Sequence, residues 1–221
     1  MLFRSHLVVR WFLGEHALGL YAAATRLVDF VRNFVSIGFM VITPRIAQSA
    51  NSPASLRRLA RLAVAGVALV GFPLVLGILT TARVLVPWVL GSQYEESARL
   101  LPWLAGYIVS APLAVFFAGS VLYALGRHRQ YLISTAVGAG VAVTAYFVLV
   151  PLAGLRGASI AFVLGEAAVA FAAYRLAPEA AREVWDNPLL KVALAAASAM
   201  AVTLFVTLHL HMQPEIGRAH V

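Results

Sequence analysis

The chain contains no cysteine, so it can form neither a disulfide framework nor a thiolate metal site. Charged residues are also scarce, at 12% of the sequence, against about 25% in an average soluble protein. No phosphate-binding glycine loop, nucleophile elbow or paired-carboxylate motif is present. We therefore expect no enzyme activity, no metal and no cofactor. What the chain has in abundance is apolar residues, 62% with a mean hydropathy of +0.86, which predicts an integral membrane protein.

Basic residues outnumber acidic ones, 17 Lys and Arg against 9 Asp and Glu. They are spread between apolar segments rather than gathered on one soluble face, so we expect no nucleic acid partner. In membrane proteins, short cytoplasmic loops collect Lys and Arg. Three connectors are rich in cations, and we expect all three to lie on the cytoplasmic side: residues 44–61, 127–129 and 175–191.

Long apolar segments predict an all-α fold, a polytopic membrane helix bundle with about six full transmembrane helices and one partial helix, 2–13. A span needs about 20 apolar residues. The six predicted spans cover about residues 17–43, 62–84, 100–126, 130–151, 157–176 and 189–210. In the fourth span, small residues at a spacing of four predict close packing against a neighbouring helix: Ala136, Gly140 and Thr144.

Polar and ionisable residues interrupt the first full span. At roughly 100° per residue they share about one third of the helix circumference: Thr25, Arg26, Asp29, Arg32, Asn33 and Ser36. Because a charge in hydrocarbon costs on the order of several kcal/mol, such residues usually face a bundle interior or a water-filled cavity. Asp29 is three residues from both arginines, so an internal salt bridge is the structural alternative. Two arginines against one aspartate leave a positive excess that favours an anionic ligand.

Glu166 is the single charged residue between Gly157 and Tyr174, in the span 157–176. It is a candidate for coupling transport to an ion; the alternative is a protonated acid that hydrogen-bonds a neighbouring helix. His209 and His211 are two residues apart, so on a helix they do not share a face, and we expect no metal site there.

Four short motifs follow one another at characteristic spacings. They are LG at 13–14 with Gly19, Tyr21, Ala24 and Arg26; Gly91, Tyr94 and Ala98 followed by LLPWL; Gly126-Arg127; and Pro151, Gly154 and GASIA at 157–161. Together they make the chain resemble the polysaccharide or O-antigen flippases of the multidrug/oligosaccharidyl-lipid/polysaccharide exporter superfamily. One departure is that Ala142, Val143 and Thr144 occupy a region in which that family often carries an asparagine.

The resemblance implies the C-terminal half of a transporter of twelve or fourteen helices in the bacterial inner membrane. Such a transporter exports a polyprenyl-diphosphate-linked oligosaccharide for surface polysaccharides such as lipopolysaccharide O-antigen, by alternating access around a cationic cavity. Polysaccharide polymerases and glycosyltransferases are the implied partners. Arg26, Arg32, Asn33 and Ser36 would line the substrate site, with Asp29 orienting the arginines.

Three other functions remain open. A lipid II flippase and a cation-coupled multidrug exporter share the superfamily and its fold. A membrane-embedded glycosyltransferase or ligase would need large loops with catalytic acids, whereas the connectors here are short.

The last ten residues, 212–221, form a tail. Within it EIGRAHV at 215–221 matches one frame of a common sequencing adapter, so we expect these seven residues to be artefactual. We also expect segment 2–13 to be the end of a helix that begins upstream.

Overall fold

A computed structural model describes residues 2–184, and the side chains of 8–184 except Ala180. The predicted span 189–210, the tail and the end of the third cation-rich connector lie outside the described residues. The described part is all-helical, which confirms the predicted fold class. Its elements in chain order are α1 (Leu2–Ser36), α2 (Phe39–Gln48), α3 (Pro53–Leu90), a 3-10 turn (Ser92–Tyr94), α4 (Glu95–Ala98), α5 (Leu101–Leu104), α6 (Tyr107–Ala114), a π-helix (Val115–Tyr123), α7 (His128–Leu176) and α8 (Glu179–Arg182).

Three helical stretches among the described residues are long and apolar enough to cross a membrane: Pro53–Leu90, Leu101–Tyr123 and His128–Leu176. The bent pair formed by α1 and α2, with 48° between its arms, would be a fourth. The chain is therefore a multi-pass membrane protein.

The helix predicted over 17–43 differs from the structure at its end. α1 stops at Ser36, and α2 runs from Phe39 through Pro44 to Gln48. Pro44 costs one backbone hydrogen bond without ending the helix, whereas the break falls at Ile37–Gly38, where glycine lowers helix propensity. α3 likewise exceeds its predicted bounds of 62–84. It begins at Pro53 because the Ser52 hydroxyl caps it, accepting a hydrogen bond from the Ser55 amide at 3.4 Å.

α7 consists of two helices joined at Gly154. This glycine has φ 56°, in the left-handed region that glycine adopts without strain. Residues on its two sides face each other at nearly equal separations from it: Gly138 with Val169, Ala142 with Gly165, and Leu149 with Gly157. Such pairing requires the two halves to run antiparallel, so α7 folds back on itself. Its halves correspond to the spans predicted over 130–151 and 157–176.

The small-residue face predicted for the fourth span does not form this contact. Ala136, Gly140 and Thr144 are all exposed, and a methyl group added at Gly140 would meet no atom within 4 Å among the described residues. The close contact uses a second row of small residues, shifted by two positions, that includes Gly138 and Ala142. Within residues 8–184 the predicted face packs against no helix, so that prediction stays untested.

The first arm of the bundle, made of α2 and the part of α1 after its break at Gly14 (φ 83°), runs parallel to the segment 95–123. Residues 77 or 78 positions apart meet from Leu20 onward: Leu20 with Ser97, Asp29 with Tyr107, and Thr43 with Ser120. A constant separation is possible only if both segments run in the same direction. This register decides which side chains of the third predicted span reach the polar residues of the first.

The three cation-rich connectors meet at one end of the bundle. Arg57 forms a salt bridge with Glu183 at 2.8 Å, and Arg61 Nε donates to the Glu183 carbonyl oxygen at 3.1 Å. Arg127, from the second connector, lines the same surface pocket as Arg57 and Glu183. The bundle therefore has one basic end, as the alternating distribution of cations predicts.

Candidate functional site

A salt bridge between Asp29 and Arg32 lies within α1. Arg32 Nε donates to Asp29 Oδ1 at 3.0 Å, and the two side chains are only 24% and 18% exposed, Asp29 first. Arg32 Nη2 also donates to Asn33 Oδ1 at 2.7 Å. The pairing of Asp29 with an arginine that the i, i+3 spacing predicts is present, and the structure assigns it to Arg32.

Tyr107, at the start of α6, contacts both partners of this salt bridge. Its hydroxyl donates to Asp29 Oδ1 at 3.0 Å, and the Arg32 guanidinium lies 5.7 Å from the centre of its ring. The ring packs against Phe162 at 4.7 Å and is 6% exposed.

The position that the sequence alone predicts for Tyr107 differs from the position in the structure. Its position beside Trp103, and not far from Trp88 and Tyr94, predicts an interfacial aromatic residue. Trp88 is indeed 83% exposed, but Tyr107 is buried. The parallel register explains the burial, because it sets Tyr107 beside Asp29 inside the bundle.

Glu166, the predicted ion-coupling residue, lies on the second half of α7, one turn beyond Phe162. It is close enough to interact electrostatically with Arg32, Asp29 and Tyr107. Since it is 12 residues after Gly154, it lies about 18 Å along the helix at 1.5 Å per residue. That is near the middle of a hydrocarbon core of about 30 Å. α1, α6 and the second half of α7 thus bring the polar residues of the first predicted span close to Glu166, which the sequence predicts as a separate site.

Arg26 and Ser36, also predicted for the site, lie apart from this cluster. Arg26 is exposed and forms no salt bridge within residues 8–184. Its long aliphatic stem allows the charged end to point outward. The Ser36 hydroxyl is buried and has no hydrogen-bond partner in the described part of the chain.

The charge at the cluster consequently differs from the positive excess inferred from the sequence. Arg32 is paired with Asp29 and is within electrostatic range of a second carboxylate, Glu166, while the second cation, Arg26, is elsewhere. A guanidinium has five N–H donors; Arg32 uses one on Asp29 and one on Asn33, and three remain. These three can make the first contact with a phosphate or carboxylate, whereas a ligand that also engages Nε must displace Asp29. Among the described residues, no group of three His, Asp or Glu side chains is arranged to hold a metal ion.

Comparison with known proteins gives one match. Residues 4–99 match the model of a family described as polysaccharide biosynthesis protein. The matched segment contains Asp29, Arg32 and Asn33 and ends before Tyr107 and Glu166. No curated protein and no solved structure matches the chain. The part of the chain that carries the intramembrane salt bridge is therefore similar to polysaccharide biosynthesis proteins.

Proposed function

We propose that the chain is part of a transporter that flips a polyprenyl-diphosphate-linked oligosaccharide across the bacterial inner membrane for surface polysaccharide synthesis. The observation that carries this proposal is the polar cluster of Asp29, Arg32, Tyr107 and Glu166 at mid-depth in an apolar bundle. Ionisable residues inside membranes are costly and typically mark substrate or ion pathways. The family match over residues 4–99 supports a role in polysaccharide synthesis.

The diphosphate would bind along one face of α1. Arg26 and Asn33 are both exposed, and at seven residues apart they share a helix face, about 10.5 Å from each other. The unused donors of Arg32 are next to Asn33, because Arg32 Nη2 donates to Asn33 Oδ1. An anionic headgroup on this face would contact Arg26 at one end and the Arg32 guanidinium at the other. The buried Ser36 hydroxyl lies one turn beyond Asn33 and would take part only if the face opened.

Glu166 gives the proposed site a means of ion coupling. With both carboxylates ionised, Asp29 and Glu166 outweigh Arg32 by one negative charge. With Glu166 protonated, the cluster is neutral and Arg32 is more available to an anion. Proton uptake and anion binding would therefore favour each other, which is the linkage that alternating access requires of a coupled transporter.

The bundle would lie with its basic end in the cytoplasm, so that connectors 44–61, 127–129 and 175–191 face inward. The meeting of Arg57, Arg127 and Glu183 at one end supports this orientation. Glycosyltransferases would then supply the lipid-linked substrate inside, and a polysaccharide polymerase would take it up outside. No catalytic step is assigned to the chain.

The test is to replace Arg32 in the gene at its locus. Arg32→Ala should abolish surface polysaccharide and cause lipid-linked oligosaccharide to accumulate, with the membrane level of the protein unchanged. Arg83→Ala, which removes an arginine from the last third of α3, is the matched control and should export normally. The neutral pair Asp29→Asn with Arg32→Gln separates structure from binding. If the salt bridge were only structural, this double variant would export normally, and the proposal would be wrong.

The same charge balance favours a second candidate, a cation-coupled multidrug exporter. Two carboxylates against one arginine would attract a cationic substrate whenever Glu166 is ionised. For that function, deleting the gene should increase sensitivity to cationic dyes and leave surface polysaccharide unchanged. For the flippase, the deletion should abolish surface polysaccharide and leave sensitivity to cationic dyes unchanged.

A further inference from the structure

We propose that Tyr107 is a positioning residue for Arg32: it holds Asp29 when Arg32 turns from Asp29 to an anionic headgroup. This inference rests on the proposed transport function and adds to it a residue beyond the family match, since the matched segment ends at residue 99. It concerns how one arginine can serve both a salt bridge and a ligand.

Arg32 and Tyr107 donate to the same acceptor atom of Asp29. Asp29 Oδ1 accepts a hydrogen bond from Arg32 Nε and another from the Tyr107 hydroxyl, each at 3.0 Å. When Arg32 moves to a ligand, the same oxygen keeps the hydroxyl. A mostly buried carboxylate left without any donor is strongly destabilised. The phenol therefore lowers the free energy needed to release Arg32.

The Tyr107 ring makes a second contact, with Arg32 itself. The guanidinium lies over the Tyr107 ring at 5.7 Å, and a cation is attracted to the whole face of a ring rather than to one atom. Arg32 can therefore rotate away from Asp29 and remain above the ring. The ring itself is buried and packed against Phe162 at 4.7 Å, which gives the moving side chain a fixed surface.

Tyr107→Phe separates these two contributions, because it keeps the ring and its packing but removes the hydroxyl. Without the hydroxyl, releasing Arg32 leaves Asp29 unpaired, so Arg32 remains on Asp29 and binds the headgroup less well. The variant should raise KM for an anionic lipid about ten-fold, the effect of one hydrogen bond to a charged group, with little change in kcat. A residue that only filled space would lower kcat and protein level together.

The experiment measures flipping of a fluorescent polyprenyl-diphosphate N-acetylglucosamine in proteoliposomes that contain the purified full-length transporter of which this chain is part. Tyr146→Phe is the matched control, because it also removes a hydroxyl from a buried tyrosine. The Tyr146 hydroxyl lies 3.2 Å from that of Tyr21, which is eight residues before Asp29 on α1. It should leave KM unchanged. In an Asp29→Asn background position 29 carries no carboxylate to lose its donor when Arg32 moves, so adding Tyr107→Phe should change KM less than about two-fold.

Two results would overturn the inference. One is an unchanged KM for Tyr107→Phe while Arg32→Ala stops flipping; the binding role of Arg32 would then stand without Tyr107. The other is a rise in KM on Tyr107→Phe that is equally large with Asp29 present and in the Asp29→Asn background, which would show that the hydroxyl does not act through Asp29. If Arg32→Ala itself flips normally, the proposed function of the cluster fails, and the role of Tyr107 fails with it.

Discussion

Gly157 lies where the two halves of α7 pack most closely, and replacing it with alanine is the sharpest test of this hairpin. A Cβ at Gly157 would collide with the carbonyl oxygen of Leu149 and lie 2.5 Å from its carbonyl carbon and 3.1 Å from the Val150 nitrogen. All three atoms belong to the backbone, so no side-chain rotation can relieve the contact. The two helices must separate for Gly157→Ala to fold.

The expected loss of stability follows from this geometry. Overpacking a well-packed core costs about 1–3 kcal/mol, and a clash with rigid backbone belongs at the upper end. For a chain of this size, about 3 kcal/mol corresponds to a fall in Tm of roughly 6–12 °C. The assay is fluorescence-detected size-exclusion chromatography of a detergent-solubilised fluorescent fusion after heating to a series of temperatures.

Gly140→Ala is the matched control, since it adds the same methyl group to the first half of α7. A Cβ there meets no atom within 4 Å among the described residues. Alanine is also favoured over glycine in a helix by about 1 kcal/mol, so Tm should stay level or rise. Equal Tm values for wild type and Gly157→Ala, or a larger fall for Gly140→Ala, would refute the assigned packing face.

Two further predictions concern the ends of the bundle. Thr43→Val removes the 2.6 Å hydrogen bond to Ser120 that ties α2 to the π-helix, and losing about 1 kcal/mol should lower Tm by about 2–4 °C. Thr80→Val is its control, because among the described residues the Thr80 hydroxyl bonds only carbonyls of its own helix; an equal fall for both variants would contradict the prediction. The absence of cysteine makes the chain suited to topology mapping by single cysteines. Ser92→Cys should react with a membrane-impermeant maleimide in intact cells and Arg58→Cys only after lysis; the reverse pattern would invert the proposed orientation.

Apolar length predicts the membrane helices from the sequence. It misses the ends of α3, which the prediction placed at 62 and 84, although Ser52 and Pro53 mark the start of α3 and Gly91 follows its end. These signals depend on residues within a few positions of each other, so they are visible without the fold. The break at Ile37–Gly38 is the exception, because Pro44 is the stronger signal for ending a helix but is tolerated inside α2.

Which residues meet could not be predicted in the same way. The fourth span carries two rows of small residues, one through Gly140 and one through Gly138 and Ala142, and both have helical spacing. Periodicity cannot choose between them; only the turn at Gly154 and the contact with Gly165 do. The same ambiguity applies to Asp29, which is three residues from Arg26 and from Arg32. Within one helix the two pairings are equivalent, and it is Tyr107, 78 positions away, that lies beside Arg32.

The charge balance of the cluster bears directly on transport. A transporter must release its substrate as well as bind it, so the affinity of its site for the substrate must not be too high. Two unpaired arginines in a dry cavity would hold a diphosphate tightly, and release would be slow. Arg32 instead starts from a salt bridge with Asp29, so a headgroup must compete with a carboxylate for the guanidinium. In the proposed mechanism, Asp29 is therefore the competitor that returns Arg32 to its resting position, and Tyr107 keeps that competitor in place while the substrate is bound.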